Sequence, residues 1–219
     1  MRLALQTIKG LIAMRNHIMS AAAVLAAALL LALSVTSSAS RLSYSSREFR
    51  IMWASLTFSA EEGGVAITCP VTLEGAFLER THTKVTEALA ARITRSTVGT
   101  CSEGRATILA ETQPWDVTYQ SFTGTLPNIT GVRYALINAA FQVEPGLGIV
   151  CLARTSRAFP AAGEARREAG GKITSLTTDS ALAIPTTGNA ECPRFGIFFG
   201  SGEVYVQGSS TTRVTLTLI

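Results

Sequence analysis

The sequence predicts an all-β domain, a β-sandwich or a barrel-like relative of about ten to twelve short strands with at most one short helix. Three observations predict it. Segments of period-two alternation recur at short intervals from residue 50 onward, separated by Gly, Pro, Asn and Ser. The sharpest of them, residues 213–219, sets Val214, Leu216 and Leu218 on one face and Arg213, Thr215 and Thr217 on the other. Four cysteines behind an apolar leader describe an exported chain stapled by two disulfides.

The leader is residues 1–40. Positions 18–35 are an unbroken run of apolar and small residues, with basic residues before it and TSSAS after it, the layout of a secretory signal peptide. Met14 and Met19 are alternative starts to Met1. An uncleaved anchor is the rival, because eighteen apolar residues sit at the lower limit for spanning a bilayer. The small-residue end favours cleavage after Ala39 or Ser40, which leaves residues 41–219 as a single secreted β domain with no membrane attachment. Removing Arg2, Lys9 and Arg15 with the leader leaves 16 of the 19 basic residues against 15 acids. A chain so nearly neutral offers no basic surface for nucleic acid.

The stretch at 114–143 organises the remainder. Trp115, Val117 and Tyr119 share one face and Asp116, Thr118 and Gln120 the other, as in a strand with one buried face. Residues 132–143 continue as a second strand with two largely apolar faces, covered on both sides. The turn formers Gly124, Pro127, Asn128 and Gly131 lie between them. The separation from Trp115 to Asn128 is read as an arch that crosses between two sheets.

Two segments interrupt the strands. Residues 81–98 place Val85, Leu89 and Ile93 four apart, a helical face, although the β-branched run ITRSTV competes as a strand. Residues 156–171 carry Glu164, Arg166, Arg167 and Glu168 with no apolar stripe, and are read as a solvated loop. The glycines of EPGLGI and FGSGEV are read as turns between strands.

Among the cysteines, Cys69 with Cys101 and Cys151 with Cys192 is the favoured pairing, since each bridge then staples one half of the chain. No C-x2-C or H-x3-H spacing suggests zinc, and no cofactor or metal is expected.

Catalysis has few routes. His82 is the only histidine after the leader, lies between Arg80 and Lys84, and is read as a surface residue. No serine stands in a G-x-S-x-G elbow. Paired carboxylates remain, as in glycoside hydrolases. Glu61 and Glu62 are read as a turn before Gly63 and Gly64, while Asp116 beside Trp115 could face a sugar, making Trp115 and Asp116 the candidate ligand-facing pair. Asn128-Ile129-Thr130 matches a glycosylation acceptor and is read as turn chemistry.

The run ITCPVTLEGAF, the later Cys101, the block PWDVTYQSFTGTLPNITGV and the pair Cys151-Leu152 resemble uncharacterised exported, disulfide-containing β-rich proteins of high-GC actinobacteria. The resemblance implies export and a disulfide-bonded β domain, and brings no activity with it. The reading is therefore a non-catalytic binding or structural protein of the cell envelope or exterior, with a cell-wall glycan or a protein as partner. A carbohydrate hydrolase using two carboxylates is the alternative, and an inhibitor presenting the 156–171 segment a third.

Overall fold

The computed structural model describes residues 41–60, 66–179 and 183–219, all within one compact unit. The expected leader, Glu61, Glu62 and the start of the strand expected at 181–185 lie outside these residues. In chain order the strands are β1 (Arg41–Tyr44), β2 (Glu48–Ala60), β3 (Ala66–Phe77), β4 (Thr81–Thr83), β5 (Leu89–Val98), β6 (Arg105–Ile108), β7 (Trp115–Thr125) and β8 (Asn128–Ile137). They continue as β9 (Ala140–Gly146), β10 (Ile149–Arg154), β11 (Ala161–Arg167), β12 (Ile173–Asp179), β13 (Ile184–Gly188), β14 (Phe195–Val206) and β15 (Leu216–Leu218).

The all-β class is as expected, and the sheet closes on itself. β2, β3, β5, β7, β8, β11, β12 and β14 pair in that order, each antiparallel to the next, and β12 pairs with β14 to complete an eight-stranded barrel. Closure leaves the barrel without a free edge. The alternation read from the sequence becomes inside and outside: Ile67, Cys69, Val71, Leu73 and Phe77 of β3 are buried, and their odd-numbered spacing keeps one side chain in two within the wall.

Two smaller sheets attach to the barrel. β15, β1 and β4 form a three-stranded sheet in which Leu42 faces Leu218 and His82 in register. Its buried residues Leu42, Tyr44 and Leu216 belong to the main core, and the Ile173 amide donates to the Val214 carbonyl at 2.8 Å, so it caps one end of the barrel. β13, β10, β9 and β6 extend from the start of β14 as an outer sheet.

Both disulfides pair as expected. Cys69–Cys101 ties β3 to the segment before β6, and Cys151–Cys192 ties β10 to the segment between β13 and β14.

Five local expectations are corrected. The arch is a tight hairpin: β7 runs on through Gln120–Thr125 to pair with β8 as far as Thr125 opposite Asn128, leaving only Leu126 and Pro127 in the turn. The polar residues at its tip are held by ladder hydrogen bonds, which do not depend on an apolar pattern. The second strand of that stretch is not continuous, because Asn138 takes φ 65°, a conformation asparagine tolerates, and turns the chain from β8 in the barrel to β9 in the outer sheet. Buried Thr155, where the chain leaves β10, accepts the Ala139 amide on Oγ1 at 2.8 Å and fixes that corner.

The helix expected at 81–98 is instead β4 and β5. Val85, which completes the apparent helical face, is 58% exposed, whereas Ala90, Ala91 and Ile93 are buried between β3 and β7. The expected loop at 156–171 contains β11. Its inward residues Ala161, Gly163 and Ala165 are too small to give a hydrophobic signal, and Glu164 meets Arg133, its in-register partner on β8, at 3.2 Å. FGSGEV lies within β14 rather than at a turn, and Gly202 serves close packing there.

Candidate functional site

The closed barrel leaves its centre incompletely filled. A cavity of about 120 Å3 lies inside, lined by Trp53, Leu73, Ile93, Leu136, Val204 and their neighbours, and no described residue brings a charged side chain to it. Its origin is local. β11 contributes Ala161, Gly163 and Ala165 where most lining positions on the other strands carry a bulkier side chain. Three small residues on one strand displace the packing of a wall that is otherwise bulky.

Two aromatic clusters close the space. At the capped end, Tyr44 of β1 stacks on Phe77 at 3.8 Å and on His82 at 5.2 Å, and Tyr119 stands edge-on to His82 at 6.2 Å. The Tyr44 and Tyr134 hydroxyls share a hydrogen bond, and Tyr134 also lines the cavity. At the other end, Phe141 of β9 meets Trp115 at 5.3 Å and Phe198 at 5.0 Å, and Phe58 meets Phe198 edge-on at 4.6 Å. Phe49 and Phe58 stand near opposite ends of the same strand, which places the clusters at opposite ends of the barrel.

Burial keeps the polar groups of this interior neutral. It raises Tyr44 well above the usual phenol range and raises Tyr134 and Tyr119 too. It lowers His82 below the ordinary imidazole value. His82 is thus not the surface residue expected between Arg80 and Lys84. In β4 its ring turns under the cap, where both nitrogens are buried with no hydrogen-bond partner among the described residues. Nothing in the local sequence signals this, since the burial comes from β1 crossing beside β4.

The expected ligand-facing pair is not a surface platform. Trp115 is 0% exposed, with its indole nitrogen donating to Thr112 Oγ1 at 2.8 Å, so it has no ring face for a sugar. Asp116 points the other way and pairs with Arg92 at 3.2 Å across the β5–β7 ladder. Glu74, Glu164 and Glu203 likewise meet Arg95, Arg133 and Arg213. None of these carboxylates lines the cavity. Among the described residues no three His, Cys, Asp or Glu side chains gather as a metal site would require.

A second hollow of about 370 Å3 lies between the barrel and the outer sheet, lined by Phe58, Ile67, Val143, Ile149 and Ile197 with Glu191 among its polar groups. Its wall reaches Ala60, the last residue described before position 66.

No family model matches the chain, and no curated protein matches it. Among solved structures it is similar to DynF from the dynemicin biosynthesis pathway of Micromonospora chersina, with a TM-score of 0.33 and 10% identity over 80% of this chain and 81% of that one. A likeness that slight bears on neither fold nor function.

Proposed function

We propose that the protein is an exported, non-catalytic binding protein whose barrel holds one small, neutral, apolar molecule. The observation that carries this reading is the uncharged cavity at the barrel centre. Ligand sites are concave and mostly apolar, and an apolar cavity of about 150 Å3 is large enough to take benzene. A space of about 120 Å3 suits a molecule of roughly one ring. Two formed disulfides fit an oxidising compartment, and no helix among the described residues is long and apolar enough to cross a membrane.

A thermal-shift screen of the oxidised protein tests the reading. A ligand at about 100 times its Kd stabilises the native state by about 2.7 kcal/mol, which raises the midpoint by roughly 5 °C or more in a domain of this size. One-ring apolar molecules are expected to shift it, and peptidoglycan fragments and other glycans are expected to leave it in place. A shift by glycans alone would overturn the barrel as the site.

A further inference from the structure

Trp53 stands midway along β2, is 3% exposed, and lines the barrel cavity. Its Nε1–H is buried and meets no acceptor among the described residues. Native interiors keep few such donors, so this one requires an explanation. The fold makes room for the ring in three ways. Gly202 on β14 lies against it, and a Cβ there would come within 2.7 Å of the indole Cδ2. The ladder of β2 with β3 is interrupted between Trp53 and Leu56, and that of β14 with β2 between Phe199 and Glu203.

The other side-chain polar groups that the described residues bring to the wall are already engaged. The Tyr134 hydroxyl is bonded to Tyr44, and Thr178 Oγ1 donates to the Gly200 carbonyl at 3.2 Å. A buried water needs two to four polar partners, and beside Trp53 the lining offers it few.

We propose that Trp53 determines the specificity of the barrel site by donating its Nε1–H to an oxygen of the bound molecule. Because indole is a donor only, the ligand class is a small neutral ketone or ester, with the carbonyl oxygen toward Trp53 and the hydrocarbon part among Leu73, Ile93 and Val204. This rests on the barrel being a binding site.

Two probes of matched shape separate the two ideas: cyclohexanone, and methylenecyclohexane, which has =CH2 in place of the carbonyl oxygen. The chain holds two tryptophans, and the indole N–H of Trp115, already bonded to Thr112, is an internal control in a nitrogen–proton correlation spectrum. Both probes are expected to move the methyl resonances of Leu73 and Ile93. Only cyclohexanone is expected to move the Trp53 indole proton downfield, with that of Trp115 unmoved. In Trp53→Phe the ratio of ketone to hydrocarbon affinity is expected to fall about tenfold, the effect of losing one hydrogen bond of ordinary strength. Methyl shifts with both probes but an equal response of Trp53 to each, or an unchanged ratio in Trp53→Phe, would overturn the role of Trp53 and leave the barrel site standing. No methyl shift with either probe would overturn both.

Discussion

Tyr134, in the wall of the barrel cavity, shares a hydrogen bond with Tyr44, a residue of the capping sheet ninety positions earlier in the chain. The bond joins cap to barrel in a place from which water is excluded. Tyr44→Phe or Tyr134→Phe leaves the other hydroxyl buried and unpaired, at a cost of about 1–3 kcal/mol. The double Phe variant removes both polar groups and is expected to cost clearly less than the two singles together. Urea unfolding of the four proteins measures this, and strict additivity would mean that the hydroxyls do not depend on each other.

His82 gives the fold a pH dependence of predictable sign. Burial lowers its pKa in the folded protein below the ordinary value of 6.5, so the unfolded chain binds the proton more readily. Its contribution to stability is complete above about pH 6.5 and is lost as pH falls through the folded-state value. Urea midpoints of the wild type are expected to drop between pH 7.5 and pH 5, a window above the ordinary range of carboxylates. His82→Phe should flatten that slope, and an unaltered slope would place the titration elsewhere.

The two disulfides differ in what they hold. Cys69 is fully buried in the barrel wall, whereas Cys151 belongs to the outer sheet. Sequence separations of 32 and 41 correspond to about 4 kcal/mol each in the chain-entropy model. Replacing Cys69 and Cys101 by Ala is expected to lower the global unfolding free energy by about that much. Replacing Cys151 and Cys192 is expected first to loosen the outer sheet. Hydrogen exchange reads the difference as faster exchange in β9 and β10 with β3 and β5 protected.

What the sequence made legible, and what it hid, has a physical basis in particular residues. Trp115, Val117 and Tyr119 read correctly as one face because bulky side chains alternate there, and the cysteine pairing read correctly because each bridge staples one half of the chain. The outer half of β7 was hidden because Gln120, Ser121 and Thr123 enter the ladder through backbone groups. β11 was hidden because Ala161, Gly163 and Ala165 give no hydrophobic contrast. Those same small residues leave the cavity, so the property that masked the strand also masked the candidate site. His82 and the unpaired nitrogen of Trp53 were beyond reach for another reason: their surroundings come from strands distant in the chain.

Gly202 against Trp53 is a contact with little tolerance. In Gly202→Ala the new methyl would meet the indole at 2.7–2.9 Å, closer than packed carbon atoms approach. Overpacking of this kind costs about 1–3 kcal/mol. A lowered urea midpoint with a displaced Trp53 indole resonance is expected, and wild-type values for both would show that the ring has room to move.

Whether the barrel takes a ligand is read most directly by titrating benzene into the oxidised protein while following the methyl resonances of Leu73, Ile93 and Val204. Saturable shifts confined to the cavity lining, and their loss in a folded Ala165→Leu variant whose longer side chain fills the space, are the expected result. Shifts that rise without saturating, or that persist unchanged in Ala165→Leu, would contradict a binding function for the barrel.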